Sequence, residues 1–138
     1  MGRAWNSPDG GLWLSLILRP HLAPMDAPKL TIMTAVAVAE AIIDTIGIDA
    51  KIKWPNDILI EGKKVCGILT EMSAEMDAIN HVIIGVGINV NNDDFPDELK
   101  DKGTSLKQIK GEEVSRIKVL STLLERFEHY YVKAGTEG

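Results

Sequence analysis

Ile58-Leu-Ile-Glu-Gly-Lys-Lys-Val-Cys-Gly-Ile-Leu-Thr-Glu71 decides the fold. Residues 58–61 turn through Gly62-Lys63 into residues 65–71, a hairpin whose tight connection favours antiparallel pairing. Immediately upstream, Ala50-Lys-Ile-Lys-Trp54 alternates polar and apolar residues. Pro55 keeps its predecessor extended, so a strand ends at a turn spanning residues 55–57. Downstream, His81-Val-Ile-Ile-Gly-Val-Gly-Ile-Asn-Val90 reads as a further strand, rich in branched residues and interrupted by two glycines.

Leu12-Trp-Leu-Ser-Leu-Ile-Leu18, bounded by Gly10-Gly11 and Pro20, has the pattern of a buried strand. Pro28–Ile46 reads as a helix with Asp26 as candidate N-cap and Gly47 as its stop. Its apolar residues occupy most faces, which implies burial against a sheet. A second helix is expected over residues 112–131, where Val114, Ile117, Leu120, Leu124, Phe127 and Tyr131 recur every three or four positions. Hairpin-linked strands with one early and one late helix give an α+β fold with a mostly antiparallel sheet.

The 138 residues, 45% hydrophobic and 25% charged, suit one domain with a single core. A net charge of -5 and a pI near 5.2 argue against nucleic acid, so no DNA partner is expected. No apolar run is long enough to span a membrane, and the first residues read as neither secretion signal nor transit peptide. A cytoplasmic location is therefore expected. The lone cysteine, Cys66, excludes an internal disulfide and a multi-thiolate metal site; it reads as a small buried strand residue.

Three segments are unusual in such a core: Lys53-Trp-Pro-Asn-Asp57, Lys64-Val-Cys-Gly-Ile-Leu69 and Gly85-Val-Gly-Ile-Asn89. Each sets polar groups beside restricted or minimal backbone. Pro55 fixes a turn from which Asn56 and Asp57 project, while Gly67, Gly85 and Gly87 allow a ligand close to the main chain. Together they suggest a pocket wall. Singly, each has a plainer explanation: Asn56 and Asp57 as a simple turn, Lys64 as a solvated side chain, Gly85 and Gly87 as packing relief. Asn89 following so apolar a run needs partners if buried, and it could equally cap a turn with Asn91 and Asn92.

In combination these segments, with Gly2-Arg-Ala-Trp5 and Ser7-Pro-Asp-Gly-Gly-Leu-Trp13, resemble the catalytic domain of the biotin protein ligases, in the same order across nearly the whole chain. The resemblance implies a mixed, mostly antiparallel sheet flanked by helices, of the class II aminoacyl-tRNA synthetase and biotin ligase kind. It also implies ATP and biotin as substrates, magnesium accompanying the ATP, and a biotin carboxyl carrier domain as the protein partner. Bringing a carboxylate to the α-phosphate requires fixed positive charge, for which Lys64 is the candidate, with Arg3 holding phosphates. Trp5 would pack against the adenylate, and Asn56 and Asn89 would contact the nucleotide. Lys53 would orient phosphate or the carrier lysine, Asp57 would assist that lysine's deprotonation, and Gly67 and Gly87 would admit the ligand.

The chain departs from the family pattern in starting within the Gly-Arg loop, without the upstream strand and helix bearing biotin-contacting residues. It also lacks the DNA-binding domain and the C-terminal β-barrel of some relatives, so a repressor role is not expected. A start codon placed too far downstream, a shortened chain or a ligase-like protein without the chemistry each accounts for such a start. A missing strand exposes a sheet edge, and homodimerisation is expected on that ground. The competing readings are an inactive scaffold that binds nucleotide or dimerises, and a lipoate ligase relative.

Overall fold

The computed structural model describes residues 9–92, 95, 98 and 101–134. Five strands, β1 (Leu12–Leu18), β2 (Lys51–Lys53), β3 (Asp57–Ile60), β4 (Lys63–Glu75) and β5 (Ala78–Ile88), form one sheet in the order β1-β5-β4-β3-β2. All four pairings between them are antiparallel, and Lys64 makes an isolated parallel bridge to Gly103. β2 to β5 thus run as a meander. The connection from β1 crosses to the opposite edge and carries helix α1 (Pro28–Ile46).

The decisive hairpin forms, with a turn one residue earlier than expected. Glu61 and Gly62 take the left-handed conformation at φ 52° and 81°, as a two-residue connection between twisted strands requires, and Lys63 already belongs to β4. The strand expected over residues 81–90 starts earlier, at Ala78, and stops at Ile88. Beyond it, the backbone turns to bond other partners: Asn91 N donates to Gly10 O at 2.9 Å, and Lys107 N donates to Val90 O at 2.8 Å.

α1 ends as read, with Gly47 left-handed at φ 72°. Its start differs. Ala27 is the N-cap, with no side-chain hydrogen bond, whereas Asp26 closes a short 3-10 turn and pairs with Lys29 at 3.3 Å. Pro28 supplies the helical φ at the first position and has no N–H to satisfy, which reduces the need for a polar cap. Helix α2 (Leu106–Lys110) was not foreseen, because five residues carry no periodicity; its signals are the Ser105 cap, accepting from Gln108 N, and Gly111.

Helix α3 (Arg116–Lys133) packs along α1, and its buried stripe is Val119, Leu123, Phe127 and Tyr131. That corrects the expected face: Ile117 is 79% exposed, Leu124 is exposed, and Val114 lies before the helix. Two apolar rows run side by side on this helix, and only contact with α1 chooses between them. Outside the core, Arg126 bonds Glu40 and Asp44, and Tyr130 Oη donates to Glu40 at 2.6 and 2.7 Å. One face of the sheet (Ile58, Ile60, Cys66, Ile68, Val82, Ile84, Val86 and Ile88) joins the α1 and α3 residues in a single core. Burial pushes the Cys66 thiol well above its ordinary range, consistent with an inert core residue.

Candidate functional site

Strand alternation sends the remaining residues to the other face, which carries no helix among the described residues. The register lines up one row across the whole sheet: Trp13 opposite Gly87, Gly87 opposite Gly67, Gly67 opposite Asp57, and Asp57 opposite Lys53. Five residues from all five strands therefore share a line, with side chains at both ends and none in the middle. The gap is occupied by Lys64. A Cβ placed on Gly67 would stand 3.2 Å from both Cε and Nζ of Lys64, so the glycine is what lets this lysine lie across the sheet. Its Nζ pairs with Asp57 Oδ1 at 3.2 Å, both side chains being partly exposed.

Beside this row lies a trough of about 450 Å³, lined by Trp13, Leu14, Ser15, Leu69, Glu71, Ile83 and Gly85. Gly85 stands opposite both Ser15 and Leu69, which keeps the floor low between two walls. Sequence reading missed Trp13, Ser15, Leu69, Glu71 and Ile83. The alternation of Trp13, Ser15 and Ile17 was the available signal, hidden because Leu12–Leu18 reads as one apolar run.

Of the candidate residues, Lys53, Asp57, Lys64, Gly67 and Gly87 are brought together in and over this row. Asn56 sits at the adjoining turn, its Nδ2 donating to Ile68 O at 3.2 Å and its own carbonyl accepting from Ile68 N at 3.0 Å. Asn89 lies just past β5, with its backbone N–H still held by Val65 O at 2.8 Å and its Oδ1 accepting from Asn92 Nδ2 at 3.0 Å. Arg3 and Trp5 lie outside the described residues. No group of three or more His, Cys, Asp or Glu among the described residues is arranged to hold a metal ion.

A low, largely apolar trough beside a row of residues that carries a lysine–aspartate pair can seat a ligand with an apolar body. The biotin/lipoate A/B protein ligase family profile matches residues 1–89, and the chain belongs to that family. The bifunctional ligase/repressor BirA of Bacillus spizizenii is 54% identical over 141 residues, covering 100% of this chain and 43% of its own length. The biotin–[acetyl-CoA-carboxylase] ligase of Paracoccus denitrificans is 38% identical over 91 residues, covering 64% of this chain and 38% of its own. Among solved structures, the biotin protein ligase from Aquifex aeolicus in complex with biotin and ATP aligns with a TM-score of 0.80. Its identity is 36%, over 93% of this chain and 53% of that one. The chain spans less than half the length of these curated relatives.

Proposed function

We propose that this chain carries the adenylate-forming part of a biotin protein ligase site. In the first step a biotin carboxylate oxygen attacks the α-phosphorus of ATP, forming an O–P bond as pyrophosphate leaves. In the second, the neutral ε-amine of a carrier lysine attacks the biotinyl-adenylate carbonyl, an amide bond forms, AMP leaves and the amine gives up its proton. The observation that carries this reading is the Lys64 ammonium lying over the Gly67 gap, 3.2 Å from Asp57.

A lysine so held is a compact positive charge in the row of residues that runs beside the apolar trough. It meets biotin's carboxylate and the α-phosphate together, which lowers the cost of bringing two anions into contact. Asp57 holds the ammonium in place before substrate arrives, and as anions displace it, its carboxylate is freed to receive the carrier lysine's proton. Lys53, at the end of the same row, is assigned to phosphate or to the incoming lysine. Asn56 and Asn89 are assigned to the nucleotide, Arg3 to the phosphates and Trp5 to the adenylate. Magnesium would arrive with ATP, held through phosphate and water oxygens; the described residues offer it no cage, and no step depends on one.

The partner is a biotin carboxyl carrier domain, and homodimerisation through an edge strand of the described sheet, β1 or β2, belongs to the same proposal. No helix among the described residues is long and apolar enough to cross a membrane. The test is to incubate the chain with α-labelled ATP and either biotin or lipoate, and to trap acyl-adenylate with hydroxylamine. Adenylate formed with biotin alone supports the reading. Adenylate formed with lipoate moves the chain to the other branch of its family, and ATP binding without product leaves a nucleotide-binding scaffold.

A further inference from the structure

Of the residues lining the trough, Glu71 alone is ionisable, and the chemistry assigned to Lys64 and Asp57 makes no use of it. The register fixes its place. Trp13, Gly87 and Gly67 belong to the row over which Lys64 lies; Ser15, Gly85 and Leu69 form the next row; Ile17, Ile83 and Glu71 form the third. The trough takes lining residues from all three, so the Lys64 row borders it at one end and Glu71 stands at the other. Gly67 and Glu71 are separated along β4 by roughly 13 Å at the rise of a strand. Between them the lining is apolar or bare backbone, apart from the Ser15 hydroxyl. Among the described residues no hydrogen bond or ion pair holds the Glu71 carboxylate.

An exposed glutamate without a partner is ordinary on a sheet surface. This one differs in where it stands, across an apolar trough from a held ammonium. A ligand lying along the trough meets positive charge at one end and negative charge at the other. Its anionic group is drawn toward the Lys64 row and repelled from Glu71, which seats it in one direction. The group that reaches Glu71 must be neutral or cationic, and it is held when it has an N–H to donate, because a carboxylate only accepts. Biotin answers both demands: its acid lies at one end and its ureido ring, with N–H donors, at the other. Lipoate ends instead in a dithiolane, which has no N–H. We infer that Glu71 is a specificity-determining residue for the acyl substrate: its carboxylate accepts an N–H from the ureido ring and so separates biotin from lipoate. This deepens the ligase reading and rests on it, with the trough as the acyl site.

The experiment titrates biotin, lipoate and a nonhydrolysable ATP analogue separately into the whole chain, for the wild type, Glu71→Gln and Glu71→Ala, with unfolding midpoints recorded alongside. The expected result is a preference of the wild type for biotin that falls about tenfold in Glu71→Ala. In Glu71→Gln, which keeps an oxygen acceptor without the charge, it falls about threefold, and affinity for the ATP analogue stays unchanged in both. Should Glu71→Ala fail to fold, Glu71→Gln carries the test alone. An unchanged biotin-to-lipoate ratio in the folded variants overturns the selecting role and leaves the ligase reading standing. An equal loss for biotin, lipoate and the ATP analogue overturns it too, since the residue would then serve the fold. A wild-type chain that binds lipoate and not biotin, or neither, overturns both.

Discussion

Ile84 and Gly85 are neighbours in β5, yet one is sealed in the core with the helices and the other floors an open trough. The same alternation runs through β4, where Ile68 is buried and Gly67 makes room for Lys64. On the helix face every position is filled, and stability resides there. On the open face the central positions are emptied, and the charges sit at the margin of the gap. A single sheet therefore separates folding from ligand chemistry by residue parity, and substitutions on the two faces should fail in different ways.

The largest effect is expected in the core. Ile84→Ala removes a fully buried side chain and should cost about 2–5 kcal/mol in denaturant unfolding, whether or not ligand is present. Gly67→Val should do the reverse. A branched residue suits a strand, so stability holds, but its side chain evicts the Lys64 ammonium from the gap and should weaken adenylate-analogue binding about tenfold, or about 1.4 kcal/mol. If Gly67→Val binds as the wild type does, the gap is packing relief and the distinction between the faces collapses.

Gly47→Ala should cost about 1 kcal/mol in the same unfolding measurement, because the α1 stop sits at φ 72°. The smallest effect concerns the α1–α3 latch. The Tyr130 hydroxyl and then Arg126 hold the Glu40 carboxyl below its ordinary value of 4.5, which makes the ionised form the one that the folded state favours. That stabilisation is present above the unfolded value and is lost as pH falls through the lower, folded value. Unfolding midpoints followed from neutral pH to below 4.5 should decline less steeply in Tyr130→Phe than in the wild type, since less carboxylate stabilisation remains to lose.

Much of this arrangement was legible from the chain because hairpin chemistry and glycine placement are local. Gly62 and Gly47 announce their left-handed backbones, although the left-handed Glu61 that moves the turn one residue earlier does not, and the Lys53-Trp-Pro-Asn-Asp57 segment announces a strand end. The shared row of Lys53, Asp57, Gly67, Gly87 and Trp13 was not legible, because it depends on the register of four strand pairs. The α3 face failed for a related reason: Ile117 and Val119 are equally apolar, and only packing against α1 buries one of them. Asn89 was readable as a polar group needing partners, but that Asn92 supplies one depended on a turn pinned by Gly10, α2 and Val114.

The most direct test of the central claim is calorimetric titration of a nonhydrolysable biotinyl-adenylate analogue into the chain and into Lys64→Ala, with unfolding midpoints measured on both. The account predicts that Lys64→Ala loses about 1–3 kcal/mol of binding, the value of a charge-assisted contact, while stability changes by no more than about 1 kcal/mol. Equal affinity in the two proteins would contradict it, and Lys64 would then be a solvated lysine beside a glycine.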